Sequence, residues 1–275
     1  MSLLLAFLML IVSQPVLQEN TGQGQSNNNP DSAITMDSSM TIPTLKEGDK
    51  AFFNIDYPKA QSIYDALLKL DSTNTDVLWR LARLNVCIGD AISYNEKEKR
   101  DDYYEKAVEY ARKCIALDEK KASGHTWLAA SLGVMAENRG SKEKIKIAKE
   151  IKKELDRAIE LNPKDDIAFS ILGSYYRAIA NISWFERMLA NTFLGSIPEG
   201  SYEEAEVAFK KAIALNPTVI RHYHEFALLY IDWDKKKEAI ALLKQAQTKP
   251  VMMKNDRRRL REIKALIEEY AEAGN

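Results

Sequence analysis

The sequence predicts an all-α fold of stacked helical hairpins, on three observations. From Leu45 onward the apolar residues recur at i, i+3, i+4 spacing, with no period-two run. Glycine (11) and proline (8) are too sparse among 275 residues for a turn-rich β domain. One phrase also recurs at the ends of helical stretches: LLKLD at 67–71, CIALD at 114–118, AIELNP at 158–163 and AIALNP at 212–217, with a shorter echo, LLKQAQ, at 242–247.

The amino terminus stands apart from this pattern. Residues 3–12, LLLAFLMLIV, are an unbroken apolar run ended by Ser13, Gln14 and Pro15. As a helix it would cover ~15 Å, about half a hydrocarbon core. Residues 1–17 therefore fit either a signal peptide or an N-terminal membrane anchor. No Lys or Arg precedes the run and no A-x-A site follows it. The first reading expects an exported protein, periplasmic in a bacterium, and the second a membrane-anchored one. If the run is not a targeting signal, the expected place is cytoplasmic or cytoskeletal. Residues 18–44 are rich in Asn, Gln, Ser, Thr and Gly and hold little to bury, so they are expected to form a disordered polar linker.

The domain at 45–275 is periodic. Its Leu-Asp/Asn marks lie 47, 44 and 54 residues apart, and Ala205 and Ala239 lie 34 apart. A 34-residue unit is the tetratricopeptide repeat (TPR), a helix-turn-helix module. The first three intervals are then one unit plus insertions of 13, 10 and 20 residues, near 90–102, 137–146 and 181–200. Each falls between the two helices of its unit, where it would lengthen both or add a short third one. The residue types agree. Gly48 and Tyr64 occupy the small and large positions in the first unit. Phe169, Leu172, Gly173 and Tyr176, then Ala205, Phe209, Ala212 and Pro217, occupy the corresponding positions later, followed by Tyr223, Phe226, Ala227 and Tyr230. Small residues let paired helices approach, and large ones fill the neighbour's groove. The prediction is a TPR-like α-α solenoid of about five hairpins, closed by a charged capping helix at 254–272.

Four segments carry a more specific resemblance: WRLARL (79–84), YYEKAVEYARKCIALDE (103–119), IKIAKEIKKELDRAIELNPKD (145–165) and ISWFERMLANTFLGSIPEGSYEEAEVAFKKAIALNP (182–217). Together they resemble the regulator of microtubule dynamics family over roughly 45–250. The stretch from Ile182 to Pro198 is the most specific, because generic TPR units have nothing like it. The resemblance implies a non-enzymatic scaffold that binds a protein partner and associates with microtubules where the host has a cytoskeleton. It also implies, for some members, a lipid-binding TPR groove at a membrane.

Two sets of residues are candidates for contact with partners. In 184–193, Trp184 and Met188 form one helical row, and Phe185, Leu189 and Phe193 a second. With Tyr176 they would wall an apolar groove for a peptide helix or an acyl chain; a short helix buried between two units is the alternative. Lys149, Lys152 and Lys153, and Arg257, Arg258 and Arg261 beside Arg259, are basic clusters. They would meet an anionic phospholipid or an acidic protein tail, or else form solvated faces. Arg257–Arg259 sit at the positive end of the last helix, where the sequence offers no local reason for them.

Other chemistry is disfavoured. Lys+Arg 39 against Asp+Glu 40 gives a net charge of −1, so no global basic field exists to hold nucleic acid. Cys87 and Cys114 would sit ~12 Å apart along their hairpin axis, beyond the reach of a disulfide. His222 and His224 point to different helix faces, and His125 has no obvious partner. No P-loop, GxGxxG, GxSxG or HExxH pattern is present, and no catalytic, cofactor or metal site is assigned.

Overall fold

Each recurring phrase falls where a helix stops. The computed structural model describes residues 43–136 and 139–272, and within them the chain forms twelve helices and no strand. The leader at 1–17 and the linker up to residue 42 lie outside the described residues. Four hairpins pair neighbouring helices: α1 (Leu45–Phe53) with α2 (Tyr57–Leu70), α3 (Thr75–Ala91) with α4 (Lys97–Leu117), α5 (Ala122–Ala136) with α6 (Ser141–Leu161), and α10 (Ile220–Asp232) with α11 (Lys236–Gln247). The fifth pairs α7 (Asp166–Ala180) with α9 (Tyr202–Leu215) across α8 (Trp184–Phe193). The cap is α12 (Asp256–Glu272).

The Leu-Asp/Asn mark works through its side chain. Asp71, Asp118, Asn162 and Asn216 each cap a helix, and each Oδ1 accepts from the backbone N–H two residues on, at 2.9, 3.0, 3.2 and 3.4 Å. This local bond offers the backbone an exit from the helix, which is why Asp and Asn recur there. New N-caps follow at once: Asn74 accepts from Asp76 and Val77, and Asp165 from Ala168.

The insertions take both predicted forms. The first and second lengthen helices, giving α3 17 residues and α4 and α6 21 each. The third adds α8, opened by a capping box between Ser183 and Glu186. Close helix approach depends on small residues. A Cβ added at Gly89 would lie 2.5 Å from the Tyr104 ring, and one at Gly173 would lie 2.8 Å from Phe209. Both cysteines are free and buried.

The chain's end returns to its beginning. Ile263 and Leu266 of α12 are buried in the core of α9–α11. The segment just before α12 crosses to the first two hairpins. Lys254 N–H donates to Tyr57 Oη (3.2 Å), Asn255 Nδ2 to Asp90 Oδ2 (2.9 Å) and Arg258 Nη1 to the Asp90 carbonyl (2.9 Å). Met253 packs on the core that holds Phe52 and Tyr57. The solenoid is thereby clasped across its inner face.

Candidate ligand-binding cavity

Under that clasp lies a partly open cavity of about 110 Å³. Its wall comes from the first helices of successive hairpins: Val86 and Cys87 of α3, Trp127 and Val134 of α5, Ile171 and Tyr175 of α7. Ala148 and Ile151 of α6 and Met253 of the clasp complete the apolar part. A volume of this size holds on the order of four water molecules. An apolar wall gives such waters few partners, which favours an apolar occupant. The wall has one further opening for bulk: a Cβ added at Gly133 would meet no atom within 4 Å. Burial pushes the Cys87 thiol up to about 12, so it is a neutral wall group.

Charge enters the wall at one place. Asp90, Arg221, Asn255 and Arg259 all line the cavity. Asp90 is engaged by Tyr104 Oη (3.0 Å) and Asn255 Nδ2 (2.9 Å). The Arg259 Nη1 lies 3.4 Å from Asp256 Oδ1. Arg221 has no ion-pair partner among the described residues, and its one hydrogen bond is a long donation to Ser170 Oγ, 3.4 Å. Burial lowers its pKa from the ordinary guanidinium value; Glu225 opposes that and Arg259 reinforces it. Asn255 Oδ1 is buried with no hydrogen-bond partner. The wall thus offers guanidinium donors, one of them without a carboxylate, beside an unpaired acceptor.

The polar layer behind the wall is mostly paired within the chain, though His222 Nδ1 and His224 Nδ1 are buried without a hydrogen-bond partner. Arg177 Nε bonds Asp232 Oδ2 (2.6 Å), and its Nη1 lies 3.8 Å from Glu225. Asn181 donates to the same Asp232 oxygen and accepts from Tyr202 Oη. His222 Nε2 meets Asp166 Oδ2 at 2.9 Å. His125, expected to lack a partner, bonds Glu154 Oε2 (2.6 Å) and the Glu119 carbonyl (2.8 Å). Its partners come from α6 and from the turn before α5, and no helical spacing reports them.

The residues singled out from sequence fall elsewhere. Trp184 (75%), Met188 (41%) and Phe193 (76%) are exposed on the outside of the stack, and none lines the cavity. The inward contacts around α8 come from Ile182, Ala190 and Ile197. Leu189 is half-buried, and the Phe185 side chain lies outside the described residues. Tyr176 sits between two cores, and its neighbour Tyr175 is the one on the cavity wall. Lys149 reaches Ser196 Oγ (3.3 Å), Lys152 pairs with Asp156 (2.7 Å) and Lys153 lies 3.6 Å from Glu154. Arg257 and Arg261 are exposed. Arg258 is engaged within the chain, by the Asp90 carbonyl, Glu262 at 3.5 Å and the Tyr94 ring at 5.0 Å. A local reason for arginines at this helix start therefore exists: Asp256 and Asp90 lie beside them. Sequence reasoning passed over Arg221, Asn255 and Gly133, and left Arg259 among surface charges. The available signal was Arg221 itself, a cation heading the apolar stretch IRHYHEFALLY.

Among the described residues no group of three or more His, Cys, Asp or Glu is placed to hold a metal. The fold and its clasped inner face define a TPR-like helical-repeat protein. Its backbone resembles the crystal structure of a thermophilic TPR protein from Thermus thermophilus, with a TM-score of 0.58, 17% identity, 81% of this chain covered and 96% of that one. The family is narrower. The family model for regulator of microtubule dynamics proteins 1–3 matches residues 44–271, and the chain belongs to that family. Regulator of microtubule dynamics protein 1 is 29% identical over 219 residues in Bos taurus and 30% over 204 in Mus musculus. Those alignments cover 78% and 72% of this chain, and 68% and 66% of the relatives.

Proposed function

We propose that this chain is a non-enzymatic binding protein whose cavity takes the alkyl tail of an anionic amphiphile. Arg221 and Arg259 would face the anionic group. One observation carries this reading: on a mainly apolar wall two guanidiniums outnumber the single carboxylate, Asp90, which is engaged by Tyr104 and Asn255, and Arg221 has no ion-pair partner among the described residues. Magnitudes divide the work between the two ends. Each buried methylene contributes ~0.8 kcal/mol, so the roughly four that 110 Å³ encloses match one charge-assisted hydrogen bond of ~1.5–3 kcal/mol. Tail and head contribute comparably, and the arginines sort the head and set the direction of entry.

Titration with twelve-carbon chains of different head tests this. Dodecanoate and dodecyl phosphate should bind in preference to dodecanol and dodecyltrimethylammonium. Arg221→Met should remove that preference while leaving dodecanol unchanged. Equal binding of all four heads to the unsubstituted chain would refute the role given to the arginines.

The names of the relatives supply a second reading, a scaffold that associates with microtubules through a protein partner. Co-sedimentation with polymerised tubulin tests it, and a chain left wholly in the supernatant would count against it.

A further inference from the structure

α8 carries exposed apolar side chains that the core does not require, Trp184 and Met188 in one row and Phe193 in a second row about half a turn round the helix. Trp184, Met188 and Phe193 present 75%, 41% and 76% of their surfaces to solvent on one ten-residue helix. The helix is fixed from within rather than by these side chains. Arg187 Nη1 donates to the Pro198 carbonyl (2.9 Å) and Nη2 to the Ile179 carbonyl (3.1 Å), and Asn191 Oδ1 accepts from Ile197 N–H (2.9 Å). Large apolar side chains held outward on a braced helix are a surface, not a gap in the packing.

The neighbouring charge says what meets that surface. Lys142, Lys146, Lys149 and Lys153 are exposed, and their spacing of four, three and four places them in one stripe along α6. Lys149 ties the stripe to the α8 region through Ser196 Oγ, 3.3 Å. Three of the acids beside the stripe are engaged by other cations, Glu150 by Arg112 (2.8 Å), Glu143 by Arg139 (3.8 Å) and Asp156 by Lys152 (2.7 Å), and Glu154 is shared between His125 (2.6 Å) and Lys153 of the stripe (3.6 Å). Lys142 and Lys146 have no ion-pair partner among the described residues. A short helix bearing Trp and Phe beside a lysine row is suited to the boundary of an anionic bilayer. There the rings sit at headgroup level and the ammonium groups meet the lipid charge.

We infer that α8 and the lysine stripe of α6 form a docking face for an anionic lipid bilayer. This goes beyond the proposed cavity ligand and does not depend on it. Arg187 of α8 bonds the carbonyl of Ile179, whose side chain lines the cavity, so docking would bring that end of the cavity towards the membrane.

Quenching of Trp184 by acyl-brominated lipid tests the inference in the full chain. The difference between the unsubstituted chain and W184F isolates this tryptophan from the other three and from any membrane affinity of residues 3–12. Vesicles of phosphatidylglycerol and phosphatidylcholine should quench the Trp184 signal, and a few hundred millimolar salt should restore it. Phosphatidylcholine alone should leave it unquenched. K146E/K149E/K153E, all at exposed sites, should shift the lipid needed for half-quenching on the order of a hundredfold. A Trp184 signal unquenched by the anionic vesicles overturns the proposal. Equal quenching by neutral vesicles, or in the lysine variant, overturns it too. Sedimentation of W184A/F193A supplies a further outcome: conversion of a dimer to a monomer would assign the patch to a second copy of the chain instead.

Discussion

Asn255 donates a hydrogen bond to Asp90 at 2.9 Å, joining residues 165 apart in the chain. It ties the start of the capping helix to the second hairpin and holds the segment that roofs the cavity. Asn255→Ala removes the donor and leaves Asp90 its bond from Tyr104. The loss should cost about 1 kcal/mol of stability. Amide exchange should accelerate at Met252, Met253 and Lys254, whose N–H groups are bonded within the clasp. Unchanged exchange there would mean that the clasp does not depend on this bond.

Gly133 separates filling the cavity from damaging the fold. Gly133→Ala should stabilise α5 by about 1 kcal/mol, because alanine favours a helix over glycine and its Cβ meets nothing within 4 Å. Gly133→Leu should fold and lose amphiphile binding. Chemical denaturation and a binding titration on the two variants check both statements.

Gly173→Ala is the opposite case. Its Cβ would lie 2.8 Å from three atoms of the buried Phe209 ring, so α7 and α9 must part or the ring must move. Overpacking of this kind should cost ~1–3 kcal/mol, read as a lower denaturation midpoint. Gly173→Ala/Phe209→Leu should recover part of the loss.

The buried histidines predict a pH dependence of stability. Burial holds His224 down to about 4; Glu225 opposes this, and Arg259, Arg177 and Arg221 reinforce it. Burial also lowers His222, against its bond to Asp166. Below an unfolded value of about 6.5 the unfolded chain takes up protons that these rings refuse. Their contribution is present above pH 6.5 and is lost as pH falls through the depressed folded values. His125 has the other sign. Burial opposes its charge, but Glu154 and the Glu119 carbonyl raise its pKa overall. Its contribution is full below pH 6.5 and is lost as pH rises through the raised value. Denaturation midpoints between pH 4 and 8 should show a shallower acid loss in His224→Asn, and a steeper one in His125→Asn.

The solenoid was legible because its signals are local. An Asp or Asn after a leucine turns the backbone through a bond two residues long, and Gly173 opposite Phe209 is a size match within one repeat. The position of the third insertion was legible as well, since α8 interrupts one hairpin. The direction α8 faces was not. Its sequence is apolar on both sides, and Ile182, Ala190 and Ile197, rather than Trp184 and Phe193, occupy the inner surface. The cavity was invisible for another reason. Arg259 and Asn255 line it because residues 253–259 cross back over the first two hairpins to meet Arg221 of α10, and no periodicity reports so distant a contact.

The clasped cavity is proposed to hold an anionic amphiphile. Native mass spectrometry of the purified full chain, followed by organic extraction, measures this directly. A stoichiometric adduct that extracts as an anionic lipid or fatty acid, and that is absent from both Gly133→Leu and Arg221→Met, is the expected result. A bare chain mass after exposure to such lipids, or an adduct indifferent to both substitutions, would contradict it.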